Sequence, residues 1–210
     1  MTQSTLLIAV RLAFGLLALT AVGRQLAIHV HLGFDVVNFF SYFTNLANIF
    51  AAVVLIAGGL GAAARREPSA LHDVLRGGAA VGMIVVGIVF AALLRNVDLG
   101  QLLPWVNAVL HYVMPVAVAV EWLFEPPRTT LGVRQVRLWL AFPFLYLVYI
   151  LGRGAATGWY PYPFLNPTTV GGYGPVTAYV VAIVVVFVAV GFVVAAVGNM
   201  RRRRGATAPS

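Results

Sequence analysis

Six apolar windows of about twenty residues decide what this chain can fold into. They run near 5–28, 39–61, 75–94, 102–123, 138–151 and 173–198. A helix crosses the hydrocarbon with about 20 such residues, and most of the windows supply them. The fifth does so when taken as 133–152, with Arg134 and Arg137 snorkelling at its end. Barrel strands would alternate apolar and polar residues, and these windows do not. The chain is 61% hydrophobic and 10% charged, against about 25% charged in soluble domains. Its mean hydropathy is +0.92. The expectation is an all-α, polytopic bundle of six transmembrane helices over residues 1–200, then a basic, disordered cytoplasmic tail, 201–210. No cleavable signal peptide is evident, because Arg11 lies early in the first window and no small-residue cleavage site precedes a soluble body.

The net charge of +8 is carried by arginine alone. Arg65, Arg66, Arg76, Arg128, Arg134, Arg137 and Arg201 to Arg204 fall on one side of a six-span topology; Arg24, Arg95 and Arg153 fall on the other. The positive-inside rule then places both termini in the cytoplasm, as expected of a plasma-membrane protein. Arginines distributed in this way report topology, and there is no basic-aromatic surface for nucleic acid. Cysteine is absent, which excludes disulfides, thiolate metal sites and cysteine nucleophiles.

Against the apolar background one stretch is anomalous: Phe39-Phe40-Ser41-Tyr42-Phe43-Thr44-Asn45-Leu46-Ala47-Asn48. Hydrocarbon penalises unpaired polar groups, so such a cluster has partners or a function. His111, inside the fourth window, is its counterpart. Counted at 1.5 Å per residue, Thr44 lies about 8 Å below the start of span two and His111 about 10 Å below the start of span four, both from the outer side. Ser41, Thr44, Asn45 and Asn48 are spaced to share one helical face, and Asn107 precedes His111 by four. Arg95 ends span three, and Tyr146, Tyr149 and Arg153 form a stripe on span five. The inner half looks nearly bare, with Glu121 and a few arginines near its interface. The loop 152–172 holds Gly158-Trp159-Tyr160-Pro161-Tyr162-Pro163-Phe164-Leu165-Asn166-Pro167, too apolar for a free loop. It reads either as an interfacial anchor or as a lid or side wall for a pocket, with Trp159 and Asn166 against the substrate.

A threonine hydroxyl becomes a nucleophile when a base stands within hydrogen-bond reach. An imidazole, with an unperturbed pKa of about 6.5, is such a base when neutral. Asn45, Asn48 and Asn107 offer donors to a tetrahedral oxyanion. Arg95 or Arg153 suits a substrate carboxylate. No acid stands ready to orient His111; a backbone carbonyl or Asn107 is the substitute. Each polar residue also has a structural reading, as interhelical glue or, for Thr44, as a bond to its own helix. Haem or zinc would need more deep histidines than His111, so no cofactor or metal is expected. A proton pump would show a mid-span acid, and only the interfacial Glu121 comes near. A non-catalytic lipid or small-molecule carrier using the same cavity is the alternative to an enzyme.

At these residues the chain resembles the androgen-induced / androgen-dependent (FAR-type) integral membrane threonine hydrolase family. The likeness rests on residues 39–46, on Leu110-His111-Tyr112-Val113-Met114-Pro115, on the stripe from Tyr146 to Arg153 and on the segment from Gly158 to Asn166. It implies Thr44 as nucleophile and His111 as base. The implied activity is hydrolysis of lipid esters, such as fatty acid esters of hydroxy fatty acids, in an outer-leaflet pocket, with membrane lipid as partner.

Overall fold

The computed structural model describes residues 5–207, with side chains to residue 204. Every regular element among them is helical. Six helices are long and apolar enough to cross a membrane: α1 (Thr5–His31), α3 (Phe43–Ala63), α4 (Ala70–Leu94), α5 (Pro104–Phe124), α6 (Val133–Thr157) and α8 (Tyr173–Thr207). Two short helices, α2 (Val36–Phe40) and α7 (Pro167–Val170), precede α3 and α8. The chain is a multi-pass membrane protein.

Local chemistry sets the boundaries. The Asp35 carboxylate accepts from the Val37 N–H and opens α2. The Ser69 hydroxyl accepts from the His72 N–H and opens α4. Pro104 occupies the first turn of α5, where its missing N–H costs nothing. α1 packs on α3, α3 on α4, and α4 on α5, α6 and α8. Half of the most apolar stretch of α4 and of α5 is buried, against 17% for α6. The α4–α5 pair is therefore the core, and α6 is a peripheral wall packed on α8.

The start of α1 and the ends of α5 and α8 meet at one end of the bundle, called here the terminal end. There the Arg11 guanidinium meets Glu121, and Arg201 Nε donates to the Leu123 carbonyl at 3.0 Å. Two features of this end differ from the sequence reading. The sixth helix does not stop near residue 198 but runs through Arg201–Arg204 to Thr207. Arginine is a good helix former, and a 35-residue helix is about 50 Å long, so its end projects beyond the hydrocarbon. Arg202 also donates to the Thr130 hydroxyl at 2.6 Å. The expected disordered tail is thus helical as far as it is described; residues 208–210 lie outside the described part.

Nor is the terminal half bare. Arg11, Asp73, Arg76 and Glu121 are each at most 5% exposed and form one network with Glu125. Arg11 Nε donates to Glu121 Oε1 at 2.8 Å and Arg76 Nε to the same oxygen at 3.0 Å. Asp73 accepts from the Arg128 backbone N–H at 2.7 Å. These residues are far apart in sequence, so their convergence on α1, α4 and α5 has no local pattern.

Candidate functional site

At the opposite, distal end the second span is not continuous. The chain leaves α2 at Ser41, which is fully buried, and restarts at Phe43. Thr44 is therefore in the first turn of α3, not several residues inside a helix. No side chain of the N-cap Tyr42 satisfies that end. Its partial positive charge falls at Thr44 instead, while the N–H groups of Thr44, Asn45 and Leu46 are bonded to the Tyr162 hydroxyl and the Tyr42 carbonyl. Ser41 consequently leaves the face that it was expected to share with Thr44, Asn45 and Asn48. Its hydroxyl donates to the Val37 carbonyl at 2.7 Å and meets the Tyr149 hydroxyl at 2.9 Å.

His111 lies in a turn of α5 that is wound as a π-helix, Val109–Val113. Pro115 has no N–H to give the His111 carbonyl, which removes the ordinary α bond there. The Met114 N–H reaches back to the Val109 carbonyl. The last turn of α4, Phe90–Leu94, is also π. The two widened turns face each other, and Phe90 stacks on the His111 ring at 4.0 Å between centroids. Such turns recur at functional sites. Close approach needs Gly87: a Cβ there would stand 3.2 Å from that of Pro115.

The imidazole is oriented by Asn107. His111 Nδ1 lies 2.7 Å from Asn107 Oδ1 and 3.3 Å from the Asn107 carbonyl. Both are acceptors, so Nδ1 carries the proton and Nε2 is the nitrogen that accepts one. Asn48 links the two halves of the site. Its Nδ2 donates to the Thr44 carbonyl at 2.9 Å and to the Leu110 carbonyl at 3.3 Å. Those bonds tie the first turn of α3 to the residue before His111.

Two cavities meet at Thr44. One, of about 800 Å³, is a polar vestibule among the distal loops; Thr44, Asn45, His111, Trp159 and Asn166 all reach its wall. The other, of about 400 Å³, is apolar and runs between α4, α6 and α8, lined by residues such as Val86, Phe90, Tyr146, Leu147 and Phe187, with Arg137 as its one charged group. Thr44, Leu94 and Tyr162 line both.

Tyr162 is the residue that the sequence reading passed over. Its hydroxyl accepts from the Thr44 N–H at 3.3 Å and lies against the Thr44 side chain, and burial holds the phenol pKa above its ordinary value. The segment carrying it does not stand free of the bundle. Tyr160 packs so closely on α6 that a Cβ at Gly154 would fall 2.0 Å from its ring. Tyr162 stacks on Phe164 at 5.2 Å and meets Tyr42 edge-on at 5.7 Å. The loop is a fixed wall.

A family model described as FAR-17a/AIG1-like protein matches residues 29–196, from the end of α1 to near the end of α8. The chain belongs to the FAR-17a/AIG1-like family. The resemblance expected from the sequence is thereby borne out at the level of the family. No match was found among curated proteins or among solved structures.

In this FAR-17a/AIG1-like chain the remaining candidates sort by position. Asn107 stands behind His111 and Asn48 behind Thr44, and neither lines a cavity. Asn48 Nδ2 is committed to two carbonyls, while its Oδ1 is buried without a partner. Asn45, on the vestibule wall, donates to the Phe39 carbonyl at 2.8 Å. Asn166 accepts from the Thr168 N–H at 3.0 Å and starts α7. The Tyr146 hydroxyl donates to the Ser41 carbonyl at 2.9 Å. Tyr149, Arg95 and Arg153 line neither cavity. Arg95 is exposed. Arg153 donates to Asn38 Oδ1 at 2.6 Å and lies under the Trp159 ring at 4.9 Å.

Proposed function

We propose that this protein is an intramembrane lipid ester hydrolase with Thr44 as nucleophile and His111 as base. The observation that carries the reading is the opening of both residues on one vestibule, with His111 Nδ1 held by Asn107. Nε2 is thereby the nitrogen that takes the threonine proton. Thr44 Oγ1 adds to the ester carbonyl, the carbonyl oxygen becomes an oxyanion, and collapse expels the alcohol with the proton from His111. Water then repeats the cycle on the acyl-threonine. The N-terminus of α3 favours the negative charge on both oxygens, and the apolar cavity receives the acyl chain.

The same reading places the distal end outside the plasma membrane and both termini in the cytoplasm, on the ground that eleven of the fourteen arginines, Arg11 included, lie towards the terminal end. The vestibule then opens at the outer leaflet. A non-catalytic lipid carrier with the same cavities is the rival. The test is labelling by a fluorophosphonate, which puts phosphorus on a nucleophilic oxygen with loss of fluoride. Thr44→Ala is expected to abolish labelling, and His111→Ala to slow it by about 10²–10⁴-fold. Undiminished labelling of Thr44→Ala refutes the nucleophile.

A further inference from the structure

The terminal face carries a positive charge that the buried ion network does not use. Eleven of the fourteen arginines lie towards that end, and two of them, Arg11 and Arg76, belong to the network. Among the described residues the other nine share one exposed acid, Glu67, which Arg128 holds at 2.5 Å. Such an excess of cations at the edge of a membrane protein attracts anions.

Placement on α6 tells which kind of anion fits. Arg134 and Arg137 stand in the first two turns of the least buried span. Both side chains are exposed, and neither has an acceptor among the described residues. At helical spacing each heads an apolar stripe. Leu138, Phe142 and Leu145 follow Arg134 at i+4, i+8 and i+11, and Ala141 and Phe144 follow Arg137 at i+4 and i+7. All five are exposed, and on a spanning helix that exposure is to hydrocarbon. A cation above an apolar stripe matches an anionic lipid, whose phosphate sits above its acyl chains. A soluble polyanion matches the cations alone.

The end of α8 adds a third guanidinium at the same level. Asn199 accepts from the Leu131 N–H at 2.9 Å and donates to the Leu131 carbonyl at 2.8 Å. Arg202 donates to the Thr130 hydroxyl at 2.6 Å. These bonds pin the end of α8 beside the residues that lead into α6, and Arg202 Nε is left without an acceptor. Guanidinium groups match phosphate oxygens through paired N–H donors.

We propose that Arg134, Arg137 and Arg202 form a seat for the phosphodiester headgroup of an anionic two-chain phospholipid, whose acyl chains lie on the exposed stripes of α6. The seat holds whether or not Thr44 is a nucleophile.

The full chain in mixed micelles, with equal amounts of phosphatidylglycerol and phosphatidylcholine of the same acyl chains, tests it. Native mass spectrometry counts each lipid retained. Phosphatidylglycerol is expected to be enriched, and Arg134→Gln with Arg137→Gln to lower the enrichment by about fivefold for each arginine removed. Both side chains are exposed and bond nothing, so melting followed by circular dichroism is expected to stay unchanged, and each single variant should show half of the effect on a logarithmic scale. Arg65→Gln with Arg66→Gln removes the same charge from the connection between α3 and α4 and should stay within about twofold of the parent. Equal losses in the two double variants would mean that net charge alone attracts the lipid, and would overturn the seat. Equal retention of the two phospholipids by the parent also overturns it. So does displacement of phosphatidylglycerol by an equal concentration of glycerol phosphate, because the apolar stripes would then contribute nothing.

Discussion

At the distal end Thr44, Asn45 and His111 reach the wall of a cavity, whereas at the terminal end Arg11, Asp73, Arg76, Glu121 and Glu125 turn on one another. Both groups are buried in the same bundle and share α5, which carries His111 towards one end and Glu121 at the other. None of the five charges lines either cavity. Mutual pairing makes the terminal cluster a clamp that joins α1, α4 and α5. The distal groups are held from behind, by Asn48 and Asn107, and present one polar atom forward. Buried polarity thus has two uses here, and partner geometry separates them where residue type does not.

Breaking the clamp should have the largest effect. Glu121→Leu leaves two buried guanidinium groups short of a carboxylate, a loss of about 3–5 kcal/mol. Reversible unfolding in micelles measures it, while fluorophosphonate labelling per folded molecule is expected to stay unchanged. A labelling defect in the folded fraction would mean that the two ends are coupled. Asn107→Ala reverses the pattern. Loss of the bond to Nδ1 frees the imidazole to turn, with a fall in labelling rate of about a hundredfold, the scale of an ångström's misplacement, and little change in unfolding. Normal labelling in that variant would remove Asn107 as the orienting group.

The class of fold was legible because hydropathy over twenty residues needs no tertiary information. Thr44 and His111 were legible because a polar residue in an apolar window is rare and costly. The break at Ser41–Tyr42 was not, since nothing in Phe40-Ser41-Tyr42-Phe43 forbids a helix; it depends on Asp35 capping α2 and on Ser41 meeting Tyr149. That break undid both the shared face of Ser41 with Thr44 and the depth counted along one helix. The ion network escaped for a similar reason. Arg11 and Glu121 are 110 residues apart, and each alone looks like an interfacial anchor. The Trp159–Tyr162 segment stood out as too apolar for a loop, but which of its rings would reach Thr44 depends on how closely Tyr160 seats on Gly154.

Smaller effects sharpen the contrast within the distal end. Gly154→Ala drives a methyl into the Tyr160 ring and should cost about 1–3 kcal/mol as overpacking. Labelling should slow as well, because Tyr162 moves with the segment; a stability loss without slower labelling would separate the wall from the site. Ser41→Ala should be the mildest, about 0.6 kcal/mol for a lost membrane hydrogen bond, with labelling within twofold of the parent. A large labelling defect there would return Ser41 to the site.

The central claim is that an alcohol at the start of α3 is activated by the imidazole of α5. Peptide mass spectrometry of the fluorophosphonate-treated protein tests it most directly. The account predicts a single adduct, on Thr44, strongly reduced in His111→Ala. An adduct on another residue, or a protein that takes up lipid esters and never acquires one, would contradict it.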